Sequence, residues 1–174
     1  MILATDEATL YLQATTTAVW APVGQTPWTL AHPGREKTSF YGSLELRTGI
    51  ETVTQVQTMN SEATAEHLQA VLDRYPEAPI LLLWDRAPWH GGVAVQQIVA
   101  DNPRLELLKF PTAAPDLNPQ EHVWKAAREA TSHNHNVRDL PSLAERFQRH
   151  LTEHTFCYSF LEKYNHDTLC AMFK

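Results

Sequence analysis

Basic residues are in short supply. Fourteen lysines and arginines stand against twenty aspartates and glutamates, for a net charge of −6. Phosphate binding is driven by Lys and Arg that displace counterions, so this balance argues against strong autonomous binding to nucleic acid. Cysteine is nearly absent. Cys157 and Cys170 both lie in an aromatic-rich C-terminal stretch, and they read as buried thiols rather than as a bridge or a metal pair. The 174 residues need no staple, since a chain of this size buries roughly 70% of its unfolded surface, and one domain is expected. No apolar run approaches the length that spans a membrane, and the first residues lack the basic start and small-residue cleavage site of a signal peptide. A cytoplasmic protein without a membrane partner is expected.

What the sequence does have is two particular stretches, LLLWDRAPWH at Leu81 to His90 and PDLNPQEHVW at Pro115 to Trp124. A continuous apolar run closed by Asp85 and Pro88 reads as a strand buried on both faces that delivers a carboxylate to its end. In the second stretch Asn118 can cap a helix, Pro119 suits its first position, and Glu121 falls on the first turn. A third acid, Asp6, closes the short opening strand MILATDE. Each acid also has a plain reading: Glu121 as a capping-box residue three places after Asn118, Asp85 as a turn opener, Asp6 as a cap or a solvated side chain. Together, three acids at the ends of elements far apart in sequence suggest a two-metal site.

Between these landmarks, Ser39 to Arg47 and Ile50 to Gln57 read as strands joined by a hairpin at Thr48-Gly49, and with the Asp6 strand they form an antiparallel three-stranded unit. Asn60 or Ser61 caps a helix whose core stripe is Ala65, Leu68, Val71, Leu72 and Tyr75. Pro79 to Trp84 is a strand returning parallel after that helix. Gly91 to Ala100 is a short helix, and Leu105 to Phe110 a fifth strand. Val123, Trp124, Ala127 and Ala130 are expected to face inward from the Glu121 helix. Asp139 to Leu151 reads as an amphipathic helix, and Phe156 to Phe173 as a last, weakly marked helical stretch. Trp20 to Pro33 is a Pro- and Gly-punctuated loop, readable as a packed connection anchored by Trp20 and Trp28.

These residues resemble a known family. Asp6-Glu7, the Trp20 to Pro27 run, Phe40-Tyr41-Gly42-Ser43-Leu44 and the two stretches above are similar to the catalytic domain of DDE transposases of the mariner-like superfamily, in its bacterial insertion-sequence branch. The resemblance implies a ribonuclease H-like α/β fold with a mixed five-stranded sheet flanked by helices. It implies a catalytic, metal-binding triad of Asp6, Asp85 and Glu121. The offset of 36 residues from Asp85 to Glu121 is close to the family's spacing. Arg86 stands where Asn is commoner, and Thr112-Ala113-Ala114 replaces a commoner Pro-Tyr-Ser run; neither change touches a carboxylate. The same resemblance makes the Trp20 to Pro33 loop part of an active-site rim or DNA path.

Three ionised carboxylates sharing a site repel strongly, by about 4 kcal/mol per pair at 4 Å and an effective dielectric near 20, unless cations join them. Two Mg²⁺ ions fit the all-oxygen ligand set, and Mn²⁺ could substitute. Asp6 and Asp85 would be the principal ligands, with Glu121 on the second ion. Such a pair activates a water or a DNA 3′-hydroxyl and stabilises the leaving oxygen of a phosphodiester displacement. The implied activity is cutting at transposon ends followed by strand transfer into target DNA, so DNA is the expected partner, with a homodimer or a separate helix-turn-helix protein as further ones. An N-terminal helix-turn-helix region is expected to be absent, leaving residues 1–174 as one catalytic domain. The rival from another class is a non-catalytic transposase remnant that acts as an interaction partner.

Arg86, His90 and His122 lie inside the matched motifs and could contact DNA or fix a carboxylate, against a plain role in ion pairing or structural hydrogen bonding. Glu7 is left out of the site, because its side chain alternates to the other face of the strand. Trp89 and Trp124 read as packing residues, and His133 and His135 as a solvated loop. His150-Leu151-Thr152-Glu153-His154 matches the H-x-x-E-H zinc-protease pattern. Without a third ligand or a larger scaffold it reads as coincidence.

Overall fold

In the computed structural model, residues 1–30, 32, 34–111 and 117–156 are described. The chain runs β1 (Ile2–Tyr11), β2 (Lys37–Glu45), β3 (Glu51–Val56), α1 (Ser61–Arg74), β4 (Ile80–Trp84), a 3-10 turn (Pro88–Gly91), α2 (Val93–Asp101), β5 (Leu105–Lys109), α3 (Gln120–Thr131) and α4 (Leu140–Glu153). The five strands form one mixed sheet in the order β3-β2-β1-β4-β5. β1, β2 and β3 pair antiparallel, whereas β4 and β5 run parallel to β1. The hairpin between β2 and β3 turns at Gly49, whose φ of 71° suits glycine. Its carbonyl accepts from the Phe156 N–H, which ties the end of the described chain to the turn.

Strand alternation gives the sheet two apolar faces, and each is covered by helices. On one face Ala8, Leu10, Phe40 and Leu44 pack with Val123, Trp124 and Ala127 of α3 and with Leu143, Phe147 and Leu151 of α4. On the other Leu3, Ile80, Leu82 and Trp84 pack with Leu68, Val71 and Leu72 of α1 and Val95 of α2. Each of the larger side chains contributes roughly 1.5–3 kcal/mol by leaving water. The α1 stripe is therefore core as expected. Asn60 caps it, its side chain accepting from the Ala63 N–H at 2.8 Å.

Four expectations need correction. Ala130 is exposed, and Thr131 is the buried residue of that turn. The α3 stripe runs Gln120, Val123, Trp124, Ala127, Thr131, which is the spacing one helix face requires. Trp20 and Trp28 do not anchor their loop by burial: both are exposed. The loop is held instead by polar bonds, Thr29 donating to the His135 carbonyl and the Leu30 N–H to the Asn136 side chain. His135 is buried rather than solvated, its Nδ1 accepting from the Val137 N–H while its ring stacks on His32. The short helix after the Asp85 motif starts at Val93, not Gly91, because Pro88 first imposes a 3-10 turn. Cys157, Cys170, the Phe160 to Phe173 stretch and Thr112 to Ala114 lie outside the described residues.

A buried polar chain crosses the α1 face. Thr5 bonds Ser43, Ser43 bonds His67 Nε2, and His67 Nδ1 bonds Thr54. Burial holds the His67 ring neutral, its pKa lowered to about 3. On the α3 face, Gly42 of β2 leaves a gap that a Cβ would fill, meeting the Glu51 carboxyl, the Gln120 amide and the Trp124 ring. Gly42→Ala should therefore destabilise the protein by about 1–3 kcal/mol through overpacking, measured by denaturant unfolding with the slope unchanged.

Candidate active site

The parallel pairing of β1 with β4 matches Ile2 with Leu81 and Ala4 with Leu83. Two residues further along each chain lie Asp6 and Asp85. Their pairing stops before this point, while β1 continues against β2 as far as Tyr11 and Lys37. The end of β4 thus opens a cleft beside the middle of β1. α3 enters it from the other side: Asn118 donates its side-chain amide to the Thr5 carbonyl at 3.4 Å and accepts from the Gln120 N–H at 3.1 Å. This cap fastens the first turn of α3, and with it Glu121, next to Asp6. Pro119 holds the N-cap position of α3 rather than its first, and Asn118, one residue earlier, supplies the side-chain oxygen that takes the Gln120 N–H. Among the described residues the Glu121 carboxylate makes no capping-box bond back to the Asn118 N–H, so it is left for other use.

Glu121 and Asp85 act on Asp6 through their charge, although among the described residues the three do not form a group whose ligand atoms all lie within 4.8 Å of one another. The Asp6 carboxyl is pushed up to about 7, first by burial, then by the charge of Glu7, with Glu121 and Asp85 adding to it; a backbone hydrogen bond opposes. A carboxyl that holds its proton near neutrality, first because it is buried and then because Glu7, Glu121 and Asp85 add their charge, marks a place where a cation would be stabilised. Asp85 is exposed and accepts from the Ala87 N–H at 2.8 Å, the turn geometry its plain reading anticipated.

Glu7, which alternation alone places away from the site, is joined to Asp85 through His90. It does point to the opposite face from Asp6, but the 3-10 turn after Asp85 folds over that face. Its side chain is buried, accepting from His90 Nε2 at 2.7 Å and from the Trp89 indole N–H at 3.2 Å. His90 Nδ1 lies 3.1 Å from the Asp85 carboxylate, and the ring stacks on Trp84 with centroids 4.2 Å apart. His90 is thus a buried link between two acids. Glu7, Asp85 and His90 place ligand atoms within 4.8 Å of one another and form, among the described residues, the one group of three that could hold a metal ion. Trp89 is more than packing, since it supplies a donor. The adjacent Asp-Glu pair was the available signal, but only tertiary structure shows what the second acid meets.

Arg86 is exposed and donates from Nε to the Phe110 carbonyl at 3.3 Å, bracing the end of β5. His122 is exposed on the first turn of α3 beside Glu121. The zinc-protease pattern does not assemble: His154 lies beyond the end of α4, its ring stacks on His150 at 5.1 Å, and neither belongs to the three-residue metal group.

Because the folded Asp6 pKa is raised above its unfolded value, its contribution to stability is fully present below about 3.8 and is lost as pH rises through about 7. Asp6→Asn should stabilise the metal-free protein above pH 7 and change little near pH 4. The midpoint should rise by roughly 2–4 °C for each 1 kcal/mol of repulsion removed, read by thermal unfolding in chelator.

Comparison with known proteins agrees with this architecture. The Mos1 transposase paired-end complex with left transposon end superposes with a TM-score of 0.67 at 18% identity, over 89% of this chain and 48% of that one. The Mos1 strand transfer complex gives 0.65 at 18% identity, over 87% and 47%. The chain therefore spans about half the length of those transposase chains. The isolated Mos1 catalytic domain, in a structure with raltegravir and Mn, matches over 90% of this chain and 84% of that one, with a TM-score of 0.54 at 16% identity. These are ribonuclease H-like domains, and the fold is theirs. No curated protein matches. The family described as DDE superfamily endonuclease matches residues 1–144, and the chain belongs to that family.

Proposed function

We propose that the chain is the catalytic domain of a transposase that cleaves DNA phosphodiesters and joins strands, using two divalent cations held by Asp6, Asp85 and Glu121. The observation that carries the reading is the partly buried Asp6 carboxyl, raised with the exposed Glu121 and Asp85 among its causes, because acids that repel one another supply what Mg²⁺ requires. The donor set is all oxygen, which suits Mg²⁺ or Mn²⁺. Mos1 structures with Mn and with Mg share the fold, as does a simian T-cell lymphotropic virus intasome. The insertion-sequence branch, the DNA ends and target, a homodimer and a helix-turn-helix partner are parts of the same proposal.

Bound at this site, the cations supply activation of a water or 3′-hydroxyl and stabilisation of the leaving oxygen. The chain's own residues hold the ligands still. The Ala87 N–H and His90 fix Asp85 from two sides, and Glu7 fixes His90 in turn, a carboxylate-imidazole-carboxylate arrangement that orients a ligand through its neighbour. The Glu7–His90 bond at 2.7 Å is satisfied without a metal, so we assign that pair to support and the Asp6 side of the cleft to the ions. Arg86 and His122, both exposed, would contact DNA phosphates. Affinity for DNA beyond the site must come from elsewhere, given the net charge of −6.

Mn²⁺ and Mg²⁺ should raise the thermal midpoint of the wild type, with a stabilisation of about 2.7 kcal/mol at one hundred times Kd, and Asp85→Asn should abolish the rise. Nicking of a duplex carrying the element's own end should depend on the same metals and be lost in Asp6→Asn, Asp85→Asn and Glu121→Gln. A wild type that binds metal yet nicks no such duplex, even with its DNA-binding partner supplied, would sink the transposase reading.

A further inference from the structure

Beneath Glu121 lies a carboxyl that the site does not use. Glu51, the first residue of β3, is buried, and so is Gln120, the first residue of α3. Gln120 Nε2 donates to Glu51 Oε1 at 2.6 Å. That contact uses one atom of each group. The other two, Glu51 Oε2 and Gln120 Oε1, are both sealed from solvent and lack a hydrogen-bond partner. With the carboxyl ionised both are acceptors, and neither can satisfy the other.

One proton resolves both. An O–H on Glu51 Oε2 can donate to Gln120 Oε1, and because each group is planar about a single carbon, this closes a ring of two hydrogen bonds. The surroundings are shaped for such a ring. Gly42, opposite Asp6 in the sheet, leaves a gap filled by the Glu51 carboxyl, the Gln120 amide and the Trp124 ring. We infer that Glu51 is a neutral carboxylic acid that pairs reciprocally with Gln120 and, through it, positions Glu121 on the first turn of α3. The positioning role rests on the metal-site reading of Glu121; the neutral pair does not.

Burial pushes the Glu51 carboxyl well above the usual carboxylate range, and the Gln120 amide is the one group that opposes. The groups that share the Gly42 gap with it, the Gln120 amide and the Trp124 ring of α3, are uncharged. The charged side chains of the neighbouring elements, Asp6 on β1, Glu45 on β2, Glu121 and Lys125 on α3, and Glu145 and Arg146 on α4, are not among the causes acting on it. A folded value raised above the unfolded one stabilises fully below the ordinary Glu range and is lost as pH rises through the folded value.

The test compares the full chain with Glu51→Gln, whose amide can form the same two-bond ring, and Glu51→Met, which cannot. At about pH 8, well above an ordinary carboxyl pKa, the infrared spectrum of the wild type should show a protonated-carboxyl stretch that Glu51→Gln lacks. Thermal stability should fall more steeply with rising pH in the wild type than in Glu51→Gln. Glu51→Met should weaken the Mn²⁺-dependent rise in midpoint by about tenfold in apparent affinity, and Glu51→Gln should restore it. Should Glu51→Met not fold, Glu51→Asp, one methylene short of the amide, is compared in its place. Absence of the infrared band, or equal pH slopes, overturns the neutral acid. An undiminished Mn²⁺ response in a folded Glu51→Met or Glu51→Asp protein overturns the positioning role alone. A wild type without any Mn²⁺ response overturns positioning together with the metal-site reading, while the infrared band still decides the pair.

Discussion

Acidic side chains resist being gathered in a half-buried cleft, and the architecture around Asp6 is best understood as what opposes that resistance. Asp6 sits on β1, in the middle of the five-stranded sheet, whose core packs on both faces. Asp85 follows the neighbouring parallel strand, and Glu121 begins a helix fastened to the β1 backbone by Asn118. The backbone positions of Asp6 and Glu121 are held by strand pairing and by the Asn118 bond to β1. The strain shows in the proton affinity of Asp6, raised by burial and by the other carboxylates.

Support for the acids comes from both sides of the sheet. On the α1 face, Glu7, His90 and Trp89 hold the segment that carries Asp85. On the α3 face, Glu51 and Gln120 lie under the turn that carries Glu121. Both supports pair an acid with a nitrogen donor inside the core, where a polar contact is strong if complete and costly if not. Asp6, between them, has one backbone hydrogen bond against burial and the charge of three neighbouring carboxylates.

The two site stretches were legible because strand burial, Pro placement and N-cap chemistry are local effects. The Asp85 strand, the Asn118 cap and the α1 stripe followed from spacing alone, and the resemblance added the identity of the fold. What could not be read depended on partners distant in sequence. Glu7 and His90 meet only because the 3-10 turn folds over the sheet. Gly42, Glu51 and Gln120 come from three elements, and nothing near Glu51 in the sequence marks it as buried. Aromatic content misled at Trp20 and Trp28, which are exposed, since a large ring can be placed for contact with a partner as well as for packing.

The pairing of β1 with β4 has a kinetic side. The β2–β3 hairpin closes a short loop, whereas Ile2 must find Leu81 across the hairpin and all of α1. Closing the longer loop costs more chain entropy, and non-local contacts of this kind are slow to form. Asp6 and Asp85 are thus brought together only through this non-local pairing, so the electrostatic cost of placing them side by side falls on the contact with the largest loop to close.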